Sequence, residues 1–229
     1  MVTGQMKATR VALPQRGGQY PAEVSTHVVT DDLPDELADR LRVERRVAVD
    51  TETTGLNWRE DTLELCQIYS PGTGAILVRR SWRRPTNLLD LLEDSRVTKV
   101  LHYAPFDLRF LESTWGVRSE SVFCTKAASK LLDPLLPPAE HSLSALLARH
   151  FGIRLDKGAV RVSNWAAPDL TLDQIAYAAA DVSSLLMLAD SQEARLRERG
   201  LAGDFAAICT YMPLDAHLEI SGIPNPLAY

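Results

Sequence analysis

Asp50 and Glu52 stand two residues apart at the end of the run Arg46-Val-Ala-Val-Asp50. Residues i and i+2 of a strand face the same side, so both carboxylates can aim at one point. Two clustered anions repel unless a proton or a cation lies between them, and a hard divalent ion such as Mg²⁺ takes oxygen ligands. Asp107 follows Lys99-Val-Leu-His-Tyr-Ala-Pro-Phe106 and so opens a helix just after a strand. Tyr177 and Asp181, spaced i, i+4, share one helix face. They sit among Ala176, Ala178, Ala179 and Ala180, an odd setting for an acid unless something compensates it. Each of these features alone has an ordinary reading: a solvated strand end, a first-turn acid favoured by the helix dipole, a surface Tyr–Asp pair. Taken in order on compatible elements, four carboxylates and a phenol have one economical use. They can hold two metal ions across a phosphodiester, one activating water and the other stabilising the leaving oxygen.

The elements that must position them follow from the apolar patterning. Asp31-Asp32-Leu33-Pro34 reads as a helix start, with Leu33, Leu37 and Leu41 at helical spacing. Strands are predicted at 46–50, 63–70 and 75–79, the last two joined by the turn Pro71-Gly72-Thr73-Gly74. A helix at 87–94, a strand at 99–103, a helix at 106–114 and a fifth strand at 122–125 come next, and the chain then turns helical at 126–132, 142–151 and 171–199. Strands first, then alternation, then helices imply a mixed α/β architecture, a five-stranded sheet flanked by helices. Residues 1–22, polar and weakly basic, read as a flexible tail before a single domain at 23–229.

Composition narrows the partners. Of 229 residues, 45% are hydrophobic and 24% charged, enough for a sizeable core. The sequence contains no apolar run of the ~20 residues that span a bilayer. Cys66, Cys124 and Cys209 are far apart and form no Cys-x-x-Cys pair, which argues against structural zinc and for reduced thiols in a cytoplasmic protein. The net charge of −5 argues for a short substrate over a long polyanion held in a basic groove.

The motifs Asp50-Thr-Glu-Thr-Thr-Gly-Leu56, His102-Tyr-Ala-Pro-Phe-Asp-Leu108 and Tyr177-Ala-Ala-Ala-Asp181 resemble those of the DEDD exonucleases, in the branch with Tyr in the third motif that includes ribonuclease D. Over most of residues 25–225 the chain is more similar to the nano-RNase C diribonucleases. That similarity rests on Val122-Phe-Cys-Thr-Lys-Ala-Ala-Ser-Lys-Leu131, Ser163-Asn-Trp-Ala166 and Met212-Pro-Leu-Asp-Ala-His-Leu-Glu-Ile220. The resemblance implies a ribonuclease H-like fold and metal-dependent 3′→5′ hydrolysis of short RNA, diribonucleotides above all, to nucleoside 5′-monophosphates. It implies that Asp50, Glu52 and Asp181 hold one Mg²⁺ or Mn²⁺, that Asp50 and Asp107 serve a second, and that Tyr177 orients the attacking water. A homo-oligomer, an octamer, is implied as well. His102 stands where many relatives have Asn, and Asn164 where an acid is common.

Thr53, Gly55, Leu56, His102 and Phe106 are the expected substrate contacts. Leu56 is either a wedge between two bases or ordinary packing, and Phe106 either stacks on a base or anchors its helix. Lys157, Arg161 and Ser163 form a basic stretch that either caps a 5′-phosphate or is a solvated loop. Arg79, Arg80, Arg83 and Arg84 with Trp82 read as a surface or subunit contact. Two other functions compete: a broader 3′→5′ exonuclease on longer RNA or DNA, of the ribonuclease D or proofreading type, and a dead scaffold that binds nucleic acid. The intact acid set argues against the last.

Overall fold

The strand Leu63–Ser70 has apolar residues on both faces, and a strand of that kind must lie inside a sheet rather than at its edge. A computed structural model of the chain, which describes residues 6–12, 23–155, 160, 163–223 and 225–226, puts it there. The strands are β1 (Met6–Ala12), β2 (Glu23–Thr30), β3 (Arg46–Thr53), β4 (Leu63–Ser70), β5 (Gly74–Arg79), β6 (Thr98–Leu101) and β7 (Val122–Cys124). They form one mixed sheet in the order β1-β2-β5-β4-β3-β6-β7. β3 runs antiparallel to β4 and parallel to β6, so both neighbours are fixed around the strand that carries Asp50 and Glu52.

The helices are α1 (Asp35–Val43), α2 (Thr86–Glu93), α3 (Ala104–Trp115), α4 (Thr125–Leu132), α5 (Leu143–Phe151), α6 (Leu172–Ser183), α7 (Leu185–Glu198) and α8 (Ala202–Ile220). A single main core runs from Val24 to Ala216. A smaller cluster of Val11, Leu65, Leu77, Trp165, Ile175 and Ala178 lies where α6 meets the sheet.

The sheet has seven strands, not five. Glu23–Thr30 is a β-branched strand with Val24, Thr26 and Val29 inward, and it pairs in parallel with β5. Met6–Ala12, expected within a loose tail, is the antiparallel edge strand beside it. Only Val11 of that strand is buried, so its sequence carries almost no apolar alternation by which to announce a strand. The expected helix at 171–199 is two helices meeting at Ser183–Ser184. There the hydroxyls of both serines donate back to the carbonyls of Ala180 and Asp181, at 3.3 and 2.9 Å, competing with helical bonding.

Candidate active site

β3 ends where it must present its acids. Asp50 is half-buried and Glu52 is buried, and Gln67 of β4, opposite Asp50 in register, donates to Glu52 Oε1 at 3.4 Å. The pairing with β4 slips between Glu52 and Thr53, a bulge that turns the chain out of the sheet immediately after the second acid. Thr51, lying between the two in the strand's alternation, donates its hydroxyl to Asp107 Oδ1 at 2.7 Å. Asp107 lies in the first turn of α3. Tyr103, in the left-handed region at φ 69°, and Pro105 aim that helix, and its acid sits at the positive end of the helix dipole. Asp107 is 2% exposed. Burial pushes its carboxyl up to about 7, against the opposing pull of the Thr51 hydroxyl and of backbone N–H groups.

α6 supplies the opposite wall. Its start is set by a capping box: Gln174 N–H donates to Thr171 Oγ1 at 3.2 Å and Thr171 N–H to Gln174 Oε1 at 2.9 Å. One and two turns on come Tyr177, whose ring lies 6.1 Å from that of Trp165, and the buried Asp181. Burial holds the Tyr177 phenol far above its ordinary range, and the charges of Asp181, Glu52 and Asp50 and a hydrogen bond with Asp181 add to this. The hydroxyl therefore stays protonated, and acids from two elements bear on it. Cys66, opposite Thr51, has its thiol raised by burial and then by Asp107 and Asp50. The fields of all four acids thus overlap around the end of β3.

This oxygen-only, acid-rich donor set fits hard divalent cations in chemistry. Among the described residues, no three His, Cys, Asp or Glu side chains are already drawn together into a metal-ligand cluster.

The other expected residues separate into groups. Leu56, in the β3–β4 loop, is 85% exposed and does not pack into this chain's own core. A Cβ at Gly55 would meet the Asp61 carboxylate, so a larger residue there makes that side chain shift. Thr53 Oγ1 donates to the Gly55 carbonyl at 2.5 Å and helps shape the loop. His102, just past the end of β6, shares a hydrogen bond with Thr125 Oγ1 at 2.9 Å. Phe106 is half-buried against the main core, its ring 4.9 Å from that of Phe110 one turn on in the same helix. Ser163 Oγ accepts from Gln174 Nε2 at 2.9 Å, which ties its segment to the start of α6. Lys157 and Arg161 lie outside the described residues. The arginines near Trp82 are engaged within the chain: Arg79 with the carbonyls of Ala167 and Pro168, Arg80 with Glu64, and Arg84 with the carbonyl of Trp115. Sequence reasoning missed Thr51, Gln67 and Gln174. The Thr-x-x-Gln spacing marks Gln174 as a capping residue; Gln67 has no local signal.

Residues 26–197 match the 3′→5′ exonuclease family, and the chain belongs to it. Within that family it stands with the ribonuclease D-like DEDD exonucleases, close to NrnC. Ribonuclease D of Cronobacter turicensis is 29% identical over 173 residues, which are 76% of this chain and 46% of that protein. The chain thus spans about half the length of such ribonuclease D relatives. The structure of Brucella melitensis NrnC with bound Mg²⁺ superposes with a TM-score of 0.78 at 33% identity, over 87% of this chain and 96% of that one. The same protein bound to pGG gives a TM-score of 0.78 at 34% identity, with the same coverage of both chains. The fold is accordingly ribonuclease H-like.

Proposed function

We propose that this chain is an exoribonuclease that hydrolyses short RNA from the 3′ end, dinucleotides by preference, releasing nucleoside 5′-monophosphates. The observation that carries the reading is that, in a chain matching the 3′→5′ exonuclease family, the charges of Asp181, Glu52 and Asp50 from two elements all bear on the Tyr177 hydroxyl, which a hydrogen bond joins to Asp181. Asp50, Glu52 and Asp181 would hold one divalent cation, and Asp50 with Asp107 a second, Mg²⁺ or Mn²⁺. Such cations supply water activation and charge neutralisation at the scissile phosphate. Tyr177, unable to give up its proton at neutral pH, would orient the water by hydrogen bonding rather than act as a base. Leu56 would wedge between the two bases. Thr53, Gly55, His102 and Phe106 would border the sugar and base, and Lys157, Arg161 and Ser163 the 5′-phosphate. NrnC bound to pGG, a close structural neighbour, supports the dinucleotide substrate. A cytoplasmic homo-oligomer, an octamer, completes the proposal. Among the described residues, no helix is long and apolar enough to cross a membrane.

The ribonuclease D relatives favour a second reading, a broader exonuclease on longer RNA or DNA. Turnover of 5′-phosphorylated RNA of two to seven nucleotides at equal subsaturating concentration, with DNA controls, decides between them. The dimer should be degraded fastest. A seven-mer cut as fast as the dimer establishes the broader enzyme. Activity in excess EDTA, or undiminished activity of Asp50→Asn, removes the two-cation mechanism from both.

A further inference from the structure

Helix α8 follows the stretch shared with the exonuclease family, and nothing in the proposed chemistry uses it. Its apolar face, Phe205, Cys209, Met212 and Ala216, is buried. Its other functional edge is charged. Asp215 and Glu219 are four residues apart and so share one face, and Arg109 of α3 reaches both. Arg109 Nη2 lies 3.1 Å from Asp215 Oδ2 and Nε lies 2.5 Å from Glu219 Oε2. Its Nη1 donates to the carbonyl of Pro105, at the entry to the helix that carries Asp107, at 2.8 Å. A second tie, His217 Nδ1 to Glu112 Oε1 at 2.6 Å, joins the same two helices a turn away.

The other oxygen of Glu219 faces the β3–β4 loop. It accepts the indole N–H of Trp58 at 3.1 Å, and Arg59, stacked 4.2 Å over the Trp58 ring, pairs with the same oxygen at 3.6 Å. Partial burial pushes the Glu219 carboxyl up, but the Trp58 N–H and the two guanidinium groups outweigh it and hold the acid below its ordinary range. Trp58 is two residues beyond Leu56. The loop between them is closed on Asp61, which accepts from Asn57 N–H at 2.9 Å and from Thr54 Oγ1 at 3.3 Å. A loop so braced moves as a unit, and Glu219 is the point at which α8 grips it. Partly exposed ion pairs of this kind contribute little to stability, and α8 already has an apolar face to hold it down. The consequence of the grip lies in geometry.

We infer that Glu219 is a positioning residue. Through Trp58 it sets the height at which the loop presents Leu56, and through Arg109 it ties that height to the helix bearing Asp107, so that α8 controls the fit of a short RNA. The inference rests on the short-RNA reading of the site.

The test is steady-state hydrolysis of a 5′-phosphorylated GG dinucleotide with Mg²⁺ by Glu219→Ala, Glu219→Gln, Trp58→Phe, Leu56→Ala and the Glu219→Ala/Leu56→Ala pair. Glu219→Ala and Trp58→Phe should each raise KM about tenfold, the order expected for one lost hydrogen bond to a charged group, with a smaller change in kcat. Glu219→Gln, whose amide oxygen still accepts the indole N–H, should return KM to within about threefold of the parent. The double variant should be no worse than Leu56→Ala alone, because Glu219 acts through Leu56. Additive loss in the pair, an unchanged KM in both Glu219→Ala and Trp58→Phe, or a fall in kcat at constant KM overturns the inference. If Leu56→Ala raises KM while Glu219→Ala and Trp58→Phe do not, the short-RNA reading stands and the positioning role falls. If Leu56→Ala itself leaves KM unchanged, both fall.

Discussion

Asp107→Asn should stabilise the cation-free protein while abolishing activity. In the folded chain the Asp107 carboxyl is 2% exposed and its pKa is raised from 3.8 to about 7 by burial. A group whose folded pKa lies above its unfolded value contributes stability that is full below the unfolded pKa and lost as pH rises through the folded one. The cation-free protein must therefore weaken on this account between about pH 4 and pH 7. At about 1.4 kcal/mol per pKa unit, the three-unit rise amounts to a loss on the order of 4 kcal/mol by pH 8. Asn resembles the protonated acid in shape and never ionises, and its Oδ1 can still accept from Thr51. In EDTA the variant should gain on the parent steadily as pH rises. At about 2–4 °C per kcal/mol for a chain of this size, the difference in Tm should reach roughly 8–16 °C at pH 8. Subtracting one protein from the other cancels the other titrating groups. Mg²⁺ in excess should reverse the order, because a ligand that binds only the folded state stabilises the form that holds it. Thermal unfolding at pH 5, 6.5 and 8, with EDTA or Mg²⁺, reads all of this. A Tm difference in EDTA that stays flat across that range refutes the reasoning.

Tyr177→Phe should bind substrate normally but slow single-turnover cleavage by ~10²–10⁴-fold, the range for a positioned proton-handling group; an unchanged rate makes Tyr177 a packing residue. Leu56→Ala removes three carbons from a side chain that is 85% exposed in the free protein. Its Tm should stay within about 1 °C, because little is buried on folding. Its affinity for a dinucleotide, measured calorimetrically with Ca²⁺, should fall by ten- to fifty-fold, at about 0.8 kcal/mol per CH₂ newly buried against bases; a shifted Tm with unchanged affinity assigns Leu56 to the fold. Light scattering at micromolar concentration should report an assembly larger than one chain, and a monomer refutes the oligomer.

Asp50 with Glu52 and Tyr177 with Asp181 were singled out in the sequence because their spacing matches the period of a strand and of a helix face, and they do lie on β3 and α6. Leu63–Ser70 was legible to the residue, because an apolar run too short for a helix and bounded by a Pro-Gly turn has few alternatives. The exposure of Leu56 followed from its place after Gly55 only as one of two options, since the sequence does not say what Trp58 grips. The rest was hidden for one physical reason. The hydrogen bond from Thr51 to Asp107 spans 56 positions and that from Trp58 to Glu219 spans 161, and no local pattern encodes a partner that distant. Met6–Ala12 was unreadable for the opposite reason: as an edge strand with one buried residue it needs no apolar code, only a neighbour to pair with.

The order of the acids along the chain also sets when the site can exist. Asp50 and Glu52 lie on β3, inside the sheet, but Asp181 arrives on α6, after all seven described strands. At about 5–20 residues per second of synthesis, roughly 7–26 seconds separate translation of Asp50 from translation of Asp181. For that interval the nascent chain holds Asp50, Glu52 and, once made, Asp107, but not the Tyr177 and Asp181 of α6. On the proposed division of roles, a chain stalled before α6 would lack one ligand of the first cation and the residue that orients the water.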